Sequence, residues 1–216
     1  MLDFEEMWAV PGGSGGGGES TDNYVKTGLV YSAANTELAG VSQSQKMTVY
    51  STPFSVDTAN GVTAEIYARP DSIPNQYGRF LDTRVSASGK SFIALASATG
   101  SAQKGANADY GINIFSDTMD YTIKVDNLVY GDKHTISVTA IDGGNINLYL
   151  DGALLDARSF SRGLTTMDVV CLMMGMTDGR SIKGQWFNAR IYGRVLTAEE
   201  IVANHAEDIR LYGENA

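Results

Sequence analysis

The segment Lys183–His205, KGQWFNARIYGRVLTAEEIVANH, changes character near Val195. Its first half carries Trp186, Phe187, Ile191 and Tyr192, aromatic and β-branched side chains that suit a pleated, half-buried strand. Its second half opens on Thr197, with Glu200 three residues later, the spacing of a capping box. Leu196 before the cap and Ile201 after it are placed for a hydrophobic staple. The segment therefore predicts a long last strand feeding one short helix. Glu200, His205, Glu207 and Asp208 sit on or just after that helix and read as its solvated face.

Upstream, His134–Ile141 alternates, with Ile136, Val138 and Ala140 on one face. Asp142-Gly143-Gly144-Asn145 then supplies residues that tolerate positive φ, and Ile146, Leu148 and Leu150 continue as a second strand. Asp151-Gly152 makes another tight turn into Ala153–Phe160. Val62–Ala68 alternates as well, with Val62, Ala64, Ile66 and Ala68 facing inward, Thr63, Glu65 and Tyr67 opposite, and Pro70 ending the strand. Further short strands are predicted at Thr27–Tyr31, Met47–Tyr50, Arg79–Val85, Ser91–Ser97, Tyr110–Phe115, Tyr121–Val125 and Val169–Gly175. Roughly a dozen short strands at even spacing fit a two-sheet sandwich.

Two stretches resemble the laminin G-like, concanavalin A-like lectin/glucanase jelly-roll family. Gly184, Arg190, Ile191, Tyr192, Arg194, Leu196, Thr197, Glu199, Glu200 and Ile201 match its strand-to-helix ending. Leu148, Tyr149, Asp151 and Gly152 match a strand-turn signature. Where the family often places acids in the last strand, this chain has Phe187 and Asn188. The resemblance implies an all-β, two-sheet antiparallel jelly-roll sandwich with one short C-terminal helix. It does not imply a ligand, because the fold hosts lectins, glycosidases, adhesion modules and coat proteins.

Composition agrees with that architecture. The 216 residues are enough for one large β domain, and 24 glycines against 4 prolines suit many strands joined by tight turns. A net charge of −9 argues against nucleic-acid partners, whose phosphates want Lys and Arg. It also disfavours anionic membranes, and no apolar run is long enough to span a bilayer. Cys171 is the only cysteine, so no intrachain disulfide forms, and its apolar setting reads as a packed thiol. No signal-peptide pattern is visible, so the expected setting, a virion or an extracellular surface, is reached without one.

Residues 1–20 stand apart from the jelly-roll domain expected over 21–216. Leu2, Phe4, Met7 and Trp8 lie among acids, and the run Gly12–Gly18 is broken only by Ser14. That run is a flexible tether spanning roughly 25 Å when extended. An apolar tip on a tether suits a docking peptide for a protein partner or for copies of the chain itself, through residues 1–18. An engineered tag has the same composition, and both readings stay open.

The candidate chemistry is thin. Glycosidases of this fold carry paired carboxylates about 5 Å apart, in an E-x-D-x-x-E pattern, and none occurs here; Glu65 stands alone in its strand. Asp82, Ser91 and His134 lack the setting of a nucleophile triad. Two histidines and one cysteine do not make structural zinc. Calcium is the metal the rim acids suit, with Asn107 and Asp109 as first candidates and Asp71 and Asp178 as further donors. A sugar site pairs an aromatic platform with planar polar groups. Asn75, Gln76, Tyr77 and Arg79 form one such cluster, Asp178 and Arg180 another, and Tyr67 is a third candidate platform. The expected function is a non-enzymatic glycan-binding module, displayed on a virus particle or cell surface and anchored by its arm. A decoration or fibre protein without sugar binding, and a glycoside hydrolase, are the alternatives.

Overall fold

The computed structural model describes residues 22–34, 40–41, 49–50, 54–56, 59–72, 79–84, 91–97, 111–116, 119–124, 131–160, 165–167, 169–172 and 182–214. Among them the chain runs through β1 (Leu29–Ala34), β2 (Gly40–Val41), β3 (Val49–Tyr50), β4 (Phe54–Val56) and β5 (Val62–Ser72). It continues through β6 (Arg79–Arg84), β7 (Ser91–Ser97), β8 (Gly111–Ser116), β9 (Met119–Lys124) and β10 (His134–Ala140). Then follow β11 (Asn145–Leu150), β12 (Ala153–Ser159), β13 (Thr165–Met167), β14 (Val169–Leu172), β15 (Lys183–Tyr192) and α1 (Ala198–Tyr212). Every strand pairing is antiparallel. A seven-stranded sheet has the order β1-β15-β5-β10-β11-β12, with β2 also on β15, and a six-stranded sheet has the order β3-β14-β6-β7-β8-β9. Among the described residues this is the all-β jelly-roll sandwich with one helix that the resemblance implies.

The local signals hold where they were strongest. The β10–β11 hairpin pairs Ile136 with Leu150, Val138 with Leu148 and Ala140 with Ile146. Asp151 and Gly152 both take positive φ, 51° and 80°, as a tight turn of matching twist requires. Thr197 caps α1 and Glu200 closes the capping box, while Leu196 and Ile201 pack in one cluster with Tyr149 and Tyr192.

The expected C-terminal helix is present, holds 15 residues and reaches Tyr212. Two expectations are corrected. Pro70 does not end its strand, because β5 runs on to Ser72. A register shift accommodates it: Pro70 faces Gly184 and Ser72 faces Lys183, so Asp71 is an extra residue on β5 and the missing N–H of Pro70 falls beside that bulge. Thr63, Glu65 and Tyr67 are not a solvent face but lie at 0%, 0% and 1% exposure. The reason is that α1 and Tyr24 lie over the outer side of β5, β10 and β15, leaving this part of the sheet buried on both faces.

Candidate functional site

The pairing registers gather strand ends at one end of each sheet. The last residue of β5, Ser72, faces the first of β15, Lys183. In the six-stranded sheet, Arg79 at the start of β6 faces Ala96 near the end of β7, and Leu172 at the end of β14 faces Leu81. Ser97 at the end of β7 faces Ile112, and Gly111 at the start of β8 faces Lys124 at the end of β9. In sequence these strand ends flank residues 73–78, 98–110, 125–130 and 173–181, which lie outside the described residues. Distance in sequence hides this, and only antiparallel register reveals it.

Most of the predicted binding residues belong to these junctions. Asn75, Gln76, Tyr77, Asn107, Asp109, Asp178 and Arg180 lie outside the described residues, as do Leu2, Phe4, Met7 and Trp8 of the arm. Arg79 is described, but it is 5% exposed and reaches Asp82 across 3.8 Å within β6. Asp71 is exposed on the rim and accepts from Arg69 Nε at 3.0 Å. Tyr67 is not at the rim surface and is no open platform. Its ring packs against Phe187 and Tyr212, at centroid distances of 5.4 and 6.2 Å, and its hydroxyl donates to the Gly213 carbonyl at 2.7 Å. Among the described residues no group of three or more His, Cys, Asp or Glu side chains is placed to hold a metal ion.

The sequence reading missed a second constellation, under the helix. Across β10, β5 and β15, Ser137, Glu65 and Arg190 stand in one row. Glu65 accepts from Ser137 Oγ at 3.0 Å, Arg190 Nε at 3.0 Å and Asn204 Nδ2 at 2.7 Å. Arg190 also donates twice to Asp208, at 2.6 and 2.8 Å, and lies 4.1 Å above the Tyr24 ring. Tyr24 and Thr135 donate their hydroxyls to Asp208 at 2.7 and 3.0 Å. Burial drives the Glu65 carboxyl above its ordinary range, and the Arg190 guanidinium opposes that shift. The Arg190 pKa lies well above its already high ordinary value because Glu65 and Asp208 both hold its proton, against burial.

Asp208 and Glu207, expected on a solvated face, are instead 0% and 5% exposed. Ile201, Asn204 and Asp208 form one stripe at i, i+3 and i+7, and the lower half of that stripe is polar because the sheet beneath offers Thr135, Ser137, Glu65 and Arg190. The sequence held a signal for it: Thr63 and Glu65 of β5, with Thr135, Ser137 and Thr139 of β10, are polar at the alternate positions of two otherwise apolar strands. A glycosidase role for Glu65 fails on this geometry, since its carboxylate is sealed between sheet and helix.

With the fold in place, the family is decided by residues 42–202, which match the family model of the concanavalin A-like lectin/glucanase superfamily, laminin G type. The chain belongs to that superfamily. Comparison with curated proteins finds no match. Among solved structures, the chain is similar to a heptameric SAP-like pentraxin from Limulus polyphemus, at 12% identity and TM-score 0.54, covering 76% of this chain and 78% of that one. It is also similar to the sialidase of Trypanosoma rangeli, at 14% identity and TM-score 0.52, covering 73% of this chain but 24% of the enzyme. A third similar structure is the receptor-binding domain of botulinum neurotoxin type G, at 13% identity and TM-score 0.51, covering 83% of this chain and 51% of that domain. At these identities the likeness is one of fold, and this superfamily houses lectins and glycoside hydrolases alike.

Proposed function

We propose that the chain is a lectin-like binding module that recognises a glycan at the rim of the sandwich and catalyses no reaction on it. The observation that supports this reading is the gathering of strand ends at one end of each sheet. It brackets Asn75, Gln76 and Tyr77, Asn107 and Asp109, and Asp178 and Arg180 with neighbouring strands. An aromatic ring, amides, carboxylates and a guanidinium are the groups that sugar hydroxyls and ring faces require. Calcium is the one cofactor this reading admits. Asn107 and Asp109 would hold it, as hard oxygen donors, and removal with a chelator tests it.

The display role rests on the N-terminal segment. Asn23 N donates to Glu207 Oε1 at 2.7 Å and Val25 N to Asn204 Oδ1 at 3.0 Å, so the chain is fastened to α1 just after the arm. In this proposal Leu2, Phe4, Met7 and Trp8 dock on a partner protein or on copies of the chain, on a virion or cell surface. A glycan array on residues 21–216 tests the recognition: selective binding supports it, and a blank array returns the chain to a decoration or fibre role. Loss of assembly on deleting residues 1–18, with a blank array, is the result that role requires.

A further inference from the structure

β12 closes the seven-stranded sheet on one side, and among the described residues no strand lies beyond it. Its residues Ala153–Ser159 are exposed almost throughout. Leu154 and Leu155, at 56% and 37%, are two of the four large apolar side chains that the described residues leave open to solvent. Tyr149 faces Leu154 and Leu148 faces Asp156, so Leu155 is an extra residue and the regular ladder of β12 begins at Asp156.

The direction of each backbone group on this strand follows from its pairing. Directly opposite residues of an antiparallel ladder alternate between hydrogen-bonded and non-hydrogen-bonded pairs. Phe160 N donates to the Gly144 carbonyl at 2.8 Å, so Phe160 turns its backbone groups toward β11, and Arg158 and Asp156 do the same. Ala157, between them, turns its N–H and C=O outward. Its N–H donates to Asp156 Oδ1 at 2.8 Å and not to a neighbouring strand. Asp156 Oδ2 also accepts from Arg158 Nε at 2.8 Å, while the two side chains remain 25% and 55% exposed. Asp156 thus covers the outward donor at the middle of the edge.

A strand added at this edge must set outward backbone groups against outward backbone groups. A second copy of β12, running antiparallel about a two-fold axis at Ala157, does this, because Ala157 of each copy can exchange N–H···O bonds with Ala157 of the other. Asp156 of each copy then lies directly opposite Arg158 of the other, where cross-strand side chains are closest. Sliding the strands to the next allowed register in either direction brings Asp156 against Asp156 or Arg158 against Arg158, and like charges directly opposite are destabilising. Charges on an edge strand ordinarily turn added strands away. Here their order, Asp-Ala-Arg, is complementary to itself. We propose that two copies of the chain associate through β12 in this register, so that their seven-stranded sheets run on as one. Asp156 of each copy leaves its own Ala157 N–H for Arg158 of the other copy. Leu154 and Leu155 flank the paired run and add apolar area to it. This interface involves neither the rim nor the N-terminal arm, and it stands independently of the glycan reading.

Sedimentation velocity on the full chain, from micromolar to millimolar concentration, tests the interface. The parent chain is expected to show a reversible monomer–dimer equilibrium, with a Kd in the micromolar range that suits a small contact. Asp156→Arg alone and Arg158→Asp alone are each expected to weaken it by about tenfold or more, since each substitution acts twice across the two-fold axis. A mixture of these two variants is expected to associate again, because every cation then faces an acid. Ala157→Pro removes the outward N–H without touching a charge, at an edge position where proline is tolerated, and is expected to weaken the dimer as well. It keeps the test informative should a charge variant misfold. A parent chain that stays monomeric over the whole range, a dimer indifferent to the charge variants, or a mixture that does not associate overturns the inference. Association lost in Trp8→Glu but intact in Arg158→Asp assigns the contact to the arm and overturns it too.

Discussion

Arg190 and Asp208 meet in a two-bond ion pair, at 2.6 and 2.8 Å, that joins the last strand to the helix following it with both side chains out of solvent. Removing one member leaves the other as an uncompensated buried charge. Asp208→Ala is expected to destabilise the fold by about 3–5 kcal/mol, read by urea denaturation. Glu65→Gln is expected to cost clearly less, because it removes a carboxylate that burial already disfavours and leaves Arg190 its two-bond partner Asp208. Equal losses for the two variants would contradict this division of the cluster.

Glu207 gives the fold an acid-sensitive fastening. The Arg210 guanidinium and then the Asn23 amide hold its carboxyl down to about 2, from an ordinary 4.5. A depressed carboxyl stabilises the folded state fully above its ordinary value and loses that contribution as pH falls through the folded one. The gap in Tm between the parent chain and Glu207→Gln is therefore expected to shrink between about pH 4.5 and about pH 2. Glu65 works in the opposite sense: its raised carboxyl favours the fold at low pH, and that contribution fades as pH rises through the raised value. A gap that stays constant over the acid range would rule out the Glu207 fastening.

At the helix start, Thr197 and Glu200 exchange cap bonds of 2.9 and 3.3 Å, and Arg194 grips the same glutamate at 2.6 and 2.7 Å. Thr197→Ala removes the side-chain acceptor. It is expected to lower stability by about 1 kcal/mol, seen as a drop of a few degrees in Tm. Thr197→Ser is expected to restore most of it.

Gly184 of β15 faces Pro70 of β5. A Cβ there would lie 2.1 Å from the Arg69 carbonyl oxygen, which is backbone and cannot step aside. Gly184→Ala is expected to cost about 1–3 kcal/mol by forcing the strands apart at the bulge. Because this bulge adjoins Ser72, the same variant is expected to perturb amide resonances at the rim before those of the β10–β11 hairpin.

The rim prediction is the functional one. Tyr77→Ala and Arg180→Ala are expected to lower glycan binding at least tenfold without a change in Tm, the first by removing a platform and the second by removing a planar donor. Array binding that survives both substitutions would place recognition elsewhere.

The sequence by itself determined what depends on near neighbours. Strand alternation, the positive-φ turn at Asp151-Gly152 and the Thr197–Glu200 cap each arise within a few residues, so the chain announces them locally. The superfamily was legible for the same reason, since its signatures are short runs. Only the tertiary structure decided that Glu65, Arg190 and Asp208 form one buried cluster, that His205 is oriented through Thr135, and which strand ends gather at one end of each sheet. Glu65 and Arg190 are 125 positions apart and His205 and Thr135 are 70 apart. Whether a carboxylate is solvated or sealed depends on what is folded over it. Here that is the helix, whose polar stripe looks like an outer face until the sheet beneath supplies partners for it.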